Sequence, residues 1–151
     1  MMTGAQKMLI LKILGDNDTM NVATVRPDGF PQATTVTYVN DGLTIYFGTW
    51  DKTQKIKNIA SCNKVSASIE GYDKNWSKIQ GLSFGGTAKV VSGADETFKV
   101  YGLMEKKFPQ AAKFPIPDLG AAMIVRIIPQ VFSIIDYTKG FLHSELIELE
   151  A

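Results

Sequence analysis

The chain has 151 residues, 45% of them hydrophobic and 21% charged, the make-up of one ordinary globular domain spanning 1–151. Sixteen basic and fifteen acidic residues leave a formal net charge of +1 without long runs, so neither nucleic acid nor a membrane is indicated as a partner. One cysteine, Cys62, and one histidine, His143, exclude an internal disulfide framework, paired-cysteine metal sites and a metal site built on several histidines.

Thr3 and Gln6 have capping-box spacing ahead of an apolar segment, Met8 to Leu14, that fits an amphipathic helix. Gly15 is its expected stop, and Asp16-Asn17-Asp18 reads as a turn. The N-terminal stretch lacks a signal-peptide cleavage pattern, which makes a cytoplasmic location the default expectation. Met20 to Arg26 and Gln32 to Val39 read as strands joined by the turn Pro27-Asp28-Gly29. In the second strand Thr34, Val36 and Tyr38 share one face, and Ala33, Thr35, Thr37 and Val39 share the other. Asn40-Asp41-Gly42 is a hairpin turn into a third strand, Leu43 to Thr49, so strands two and three are expected as hairpin neighbours.

A helix is expected over Thr53 to Ser61, with Ile56, Ile59 and Ala60 inward. Lys64 to Glu70 is a fourth strand. Trp76 to Val91 reads as a long strand in which Gly85-Gly86 marks a bulge or a close backbone approach. Asp95 to Phe108 reads as a helix carrying Phe98, Tyr101, Met104 and Phe108, and Pro109, Pro115 and Pro117 mark an irregular loop. Ala121 to Ile128 and Val131 to Tyr137 read as two further strands. Hairpins first and helices inserted singly favour an antiparallel α+β sheet, mainly β, that closes into a barrel.

Four constellations carry possible chemistry. Gly48 to Lys55 brings a strand end onto a helix start with Thr49, Thr53, Gln54 and Lys55, groups suited to a phosphate. The same residues also read as a solvated helix start capped by Asp51 or Thr53. The hydroxyl-rich strand Thr34-Thr35-Val36-Thr37 could lie along a flat ring, although threonine favours strands in any case. Trp76 to Gly86 offers Gln80 to a ring edge and Trp76 for stacking, or is an edge strand with an aromatic anchor. Asp136 to His143 is polar and aromatic. With no second acid or base beside it in sequence, His143 reads as a surface residue, and Cys62 as a structural thiol.

The segments ATVRPDGFPQATTV, YFGTWDKTQKIKNI and GLSFGGTAKVV, in this order, resemble the pyridoxamine 5'-phosphate oxidase-like family, the FMN-binding split barrels. The resemblance covers about Met20 to Tyr137. It implies a six-stranded split β-barrel (Greek key) with peripheral helices that binds FMN. Thr34, Thr35, Val36 and Thr37 would line the ring and ribityl chain, with Gly48 and Thr49 against them. Gln54 and Lys55 would match the family's phosphate-binding pair, often Arg-Lys, and Gln80 or Gly81 would reach the flavin of a partner subunit. A homodimer with the cofactor at its interface follows, for which Val125, Ile127, Val131 and Ile134 are candidate contributors. The resemblance implies a flavin-dependent oxidoreductase of unknown substrate; a flavin carrier or sensor, or a split barrel for haem or a deazaflavin, are the alternatives. Thr34 and Val39 stand where true pyridoxamine phosphate oxidases carry arginine and lysine, and the chain ends LHSELIELEA. It therefore resembles the smaller, general-stress-protein type of split barrel.

Overall fold

In the computed structural model, residues 1–114 and 120–150 are described. The first helix, α1 (Gly4–Asp16), opens with the expected capping box: the Gln6 amide donates to Thr3 Oγ1 and the Thr3 amide to Gln6 Oε1. Gly15 lies inside the helix rather than ending it, since Asn17 closes α1 with extended backbone and its side chain donates to the Ile13 carbonyl. Strands β1 (Thr19–Val25) and β2 (Pro31–Thr37) form a hairpin around Gly29, whose φ of +89° demands glycine. A fork from Arg26 to Asp28 braces the turn.

At Tyr38 the chain leaves the β1–β2 hairpin. Only the short β3 (Val39–Asp41) pairs with β4 (Thr44–Trp50), across the turn at Gly42. β2 and β4 are therefore not ladder neighbours, contrary to the hairpin expectation. The buried Tyr38 causes the departure: its hydroxyl donates to the Leu14 carbonyl of α1. Helix α2 (Gln54–Ser61) leads to β5 (Lys64–Ile69), then a short 3₁₀ turn at Trp76–Lys78 and β6 (Gln80–Val90). The strand expected over Trp76 to Val91 is thus shorter by four residues at its start and one at its end. Helix α3 (Ala94–Lys107) precedes β7 (Ala122–Asp136) and β8 (Ser144–Glu148). The loop expected around Pro115 and Pro117 lies outside the described residues.

The two strands expected near the C-terminus are one, β7. At Gly85/Gly86 the β6–β7 register slips: Gly85 faces Val131 and Gly86 faces Pro129, leaving Gln130 as the extra residue. Pro129 is tolerated because a bulge spares it a ladder donor. The Gln130 carbonyl accepts from the Leu149 amide beyond β8.

The order β2-β1-β5-β6-β7-β4-β3, with β8 on β7, is antiparallel throughout. Six long strands curl until β2 and β4 touch without a ladder, which is the split of a split barrel. Ile10 and Leu14 of α1 plug its interior among Met20, Val22, Phe47 and Phe132. Each such side chain contributes roughly 1.5–3 kcal/mol by burial. Val125, Ile127 and Ile134 point into this interior and are fully buried within one chain, so they cannot form a dimer contact; Ile128, Ile135 and Leu146 are exposed instead.

Outside the barrel, α3 covers β3, β4 and β7 through Val39, Tyr46, Val100 and Ile124, while Phe98 points to solvent. Its start is held by Glu96, which accepts from Arg126 Nη1 at 2.8 and 2.7 Å and from the Tyr46 hydroxyl at 3.0 Å. The Arg126 bond is the main cause holding the Glu96 carboxyl below its ordinary range. A carboxyl lowered on folding stabilises the fold above its unfolded value of about 4.3, and that contribution fades as the pH falls through the lower folded value. Glu96→Gln should lower stability at neutral pH by no more than about 1 kcal/mol, because the pair is partly solvent-screened. The gap to the parent should close as the pH falls through that lower folded value, in thermal unfolding followed across pH.

Candidate functional site

The segment from Gly48 to Lys55 forms one continuous surface. Gly48 and Thr49 end β4, and with Trp50, Tyr101, Met104 and Met123 they line a cleft of about 230 Å³ against α3. A Cβ at Gly48 would meet Met104 Cε at 3.8 Å and the Met123 carbonyl oxygen at 3.9 Å, ordinary contacts, and Gly48 is exposed, so its backbone is open to solvent. Thr53 is the N-cap of α2 but makes no cap bond. Its hydroxyl donates instead to the Trp50 carbonyl at 2.9 Å and lies 3.1 Å from the Thr49 hydroxyl. The first amides of α2 are left without a side-chain acceptor, and the helix dipole makes that end favourable for an anion. Lys55 is half-buried in the first turn and makes no ion pair among the described residues; Lys57 is exposed.

Behind this surface is a polar cluster that sequence reasoning missed. The Gln54 amide donates to Asn58 Oδ1 at 2.9 Å, and Asn58 Nδ2 donates to Thr24 Oγ1 at 2.9 Å and Gln32 Oε1 at 3.1 Å. Asn58 and Thr24 are buried, so α2 turns an asparagine rather than Ala60 inward. The available signal was the i, i+4 spacing of Gln54 and Asn58 on one helix face.

Along β2, Thr34 and Val36 are half-buried and Thr35 and Thr37 exposed, the alternation expected. Thr34 Oγ1 is buried without a hydrogen-bond partner. On the other face the Thr35 hydroxyl donates to Asn21 Oδ1 at 2.7 Å, and Thr37 lines a second cleft beside Tyr38. The hydroxyls of Thr34 and Thr35 therefore face opposite ways, although the β2 backbone runs past both.

Gln80 and Gly81 lie elsewhere. Gln80 pairs with Asp136 in β7, whereas Thr49 pairs with Met123, thirteen residues back along the same strand, or ~40 Å of extended chain. One chain does not bring Gln80 to Lys55. The Gln80 amide donates to Asp136 Oδ1 at 3.2 Å, and the Thr138 amide and hydroxyl donate to the same oxygen. Burial pushes the Asp136 carboxyl up, but these donors outweigh it and leave it below its ordinary range. Beside it Trp76 stacks on Phe141 with centroids 6.1 Å apart. His143 Nε2 is buried 3.5 Å from Glu145 Oε2 without a hydrogen bond. Among the described residues no group of three or more His, Cys, Asp or Glu side chains could hold a metal ion, and no helix is long and apolar enough to cross a membrane.

A curled antiparallel sheet, open between β2 and β4, with a cleft between the end of β4, the start of β7 and α3, defines a split-barrel protein. Residues 9–134 match the family described as pyridoxamine 5'-phosphate oxidase, and the chain belongs to that family. Among solved structures it is similar to general stress protein 26 of Bacillus anthracis: 19% identity, TM-score 0.70, covering 95% of this chain and 98% of that one. It is also similar to a heme-binding protein of Mycobacterium smegmatis, with 17% identity, TM-score 0.78, and coverage of 98% of this chain and 59% of that one. A third likeness is to the heme storage protein of Vibrio cholerae: 19% identity, TM-score 0.67, 80% of this chain and 87% of that one. At these identities the likenesses show the fold. No curated protein sequence matches.

Proposed function

We propose that the chain binds FMN at the Gly48–Lys55 surface and acts as a flavin-dependent oxidoreductase, as a cytoplasmic homodimer with the cofactor at the subunit interface. The observation that carries this reading is the uncapped start of α2, with Lys55 beside it and the open backbone of Gly48 next to both. The residues fit the group: a phosphate finds amides and one ammonium, and a flat ring finds an apolar cleft wall at Met104 and Met123. FMN supplies the redox chemistry when bound; the protein orients it and excludes water. Lys55 and the α2 amides would hold the phosphate, and Gly48 and the backbone of Thr34 to Thr37 would flank the ring and its chain. Gln54 is occupied by Asn58, so the pair at 54 and 55 supplies one cation where the family often has two.

The distance along β7 between Thr49 and Gln80 supports the dimer: Gln80 and Gly81 would meet the flavin only from a partner subunit. The exposed Ile128, Ile135 and Leu146 are available to such an interface. Haem is the weaker reading, because His143 Nε2 faces Glu145 rather than an open cleft.

Lys55→Ala tests the assignment. A charge-assisted bond contributes about 1.5–3 kcal/mol, so FMN affinity should fall roughly 10- to 150-fold. Riboflavin, lacking the phosphate, should bind as before, and the exposed Lys57→Ala should behave as the parent. Fluorescence titration with both ligands measures this. Equal FMN affinities for Lys55→Ala and Lys57→Ala would remove the phosphate site.

A further inference from the structure

A second cleft, of about 480 Å³, runs beside the first along α3 and is lined by Thr37, Tyr38, Val39, Met104, Phe108 and Phe114, with Gln110 and Ala111 at its rim. Met104 lines both clefts, so the two are consecutive stretches of one groove. The volume falls in the range of small-molecule sites. We infer that this second cleft binds a neutral, planar, largely apolar molecule, such as a bicyclic aromatic carbonyl compound, next to the ring position proposed above.

Three observations carry this. First, no lining side chain is charged. Lys107, which packs on Tyr38, is turned away: its Nζ donates to the Leu14 and Asn17 carbonyls and lies 4.0 Å from the centroid of the Tyr38 ring, while Lys113, at the end of the 3₁₀ turn, is exposed and not part of the lining. Burial lowers its pKa, in keeping with an ammonium already committed within the fold. A charged ligand would lose its hydration here and gain no counter-ion. Second, the walls are aromatic. Phe108 and Phe114 present ring surface suited to a flat ligand over the buried Tyr38, and Phe114 is 76% exposed, an apolar surface that the described residues leave uncovered. Third, the polar groups are few and neutral. The Tyr38 hydroxyl is already bonded to Leu14, which leaves the Thr37 hydroxyl and the Gln110 amide to meet a carbonyl oxygen.

That the bound molecule is the flavin's reaction partner rests on the proposed function; its binding, and its selection for neutrality, do not. The test is titration of the full-length protein, without added flavin, with menadione and with its ring-sulfonated analogue. The chain has two tryptophans, so a Trp76→Phe background leaves Trp50, in the adjoining cleft, as the fluorescent reporter. Menadione should quench Trp50 saturably and bind at least about tenfold more tightly than the sulfonate, the anion losing its hydration without a partner. Gln110→Lys, a change at an exposed position, should raise sulfonate affinity and shrink or reverse that preference. Phe114→Ala should weaken menadione while leaving the thermal midpoint near that of the parent. Equal binding of the two compounds, no saturable quenching, or a preference unmoved by Gln110→Lys would overturn the assignment. If FMN fails to bind but menadione shows the stated preference, the cleft stands and the flavin reading falls.

Discussion

Gly86→Ala is expected to destabilise the protein by about 3 kcal/mol or more, at or beyond the upper end of what overpacking usually costs. An added Cβ would sit 2.3 Å from the Ile128 carbonyl oxygen and 2.9 Å from both the Ile128 carbonyl carbon and Pro129 Cα. All three are backbone atoms of β7, so no side chain can turn aside. Relief would require β6 and β7 to part at the bulge, where Gln130 is extruded and its carbonyl holds the tail. In a chain of this size each kcal/mol moves the thermal midpoint by roughly 2–4 °C, so a fall of about 6–12 °C is expected. Two neighbours calibrate the result. At Gly85 the nearest atom to a new Cβ is Val131 Cγ1 at 3.1 Å, a side chain that can shift, so Gly85→Ala should cost less. Gly102 lies in α3 with nothing within 4 Å, and Gly102→Ala should stabilise by about 0.5–1 kcal/mol through helix propensity. If Gly86→Ala and Gly102→Ala melt at the same temperature, the close approach at the bulge is not as described.

The same bulge shows what a sequence can convey. Gly85-Gly86 marks it because paired glycines in a strand have few other uses, and the two Asp-Gly turns are legible because Gly29 and Gly42 adopt positive φ. The Thr3–Gln6 capping box is equally local. Pro129 misleads, because whether a proline ends a strand or sits in a bulge depends on the partner, and the partner here is over forty residues upstream. The route after β2 misleads for a similar reason: Tyr38 is drawn inward by α1, and no turn signal at Tyr38 records that pull. For the site, Gly48 to Lys55 is legible because it is contiguous. The resemblance adds Gln80 and Gly81, which the structure places at the far end of β7 from that segment. The second cleft is assembled from β2, β3, α3 and the 3₁₀ turn Pro109–Lys113, elements that the chain order does not place side by side.

Asn58→Ala should be among the most costly polar substitutions in the protein. Asn58 uses its carbonyl oxygen on Gln54 and its amide nitrogen on Thr24 and Gln32, joining α2 to both strands of the first hairpin. Three bonds at about 1 kcal/mol each suggest a loss near 3 kcal/mol. The larger part of the cost comes from what is left behind. Thr24 is 1% exposed, and without Asn58 its hydroxyl is left without that partner in a site closed to water. That asymmetry can be measured. Thr24→Val keeps the volume and deletes the hydroxyl, so in the double variant Asn58→Ala/Thr24→Val no stranded hydroxyl remains. The double variant should therefore be more stable than the sum of the two single effects predicts, by about 1–2 kcal/mol, within the range measured for groups sharing one network. Gln54→Ala provides the contrast, since Gln54 is only half-buried and water can reach its surroundings, so its loss should be cheaper than that of Asn58. Denaturant unfolding of the four proteins of the cycle gives the coupling directly. Strict additivity would mean that Thr24 and Asn58 do not depend on one another, and that burial of the Thr24 hydroxyl is not what makes Asn58 costly to lose.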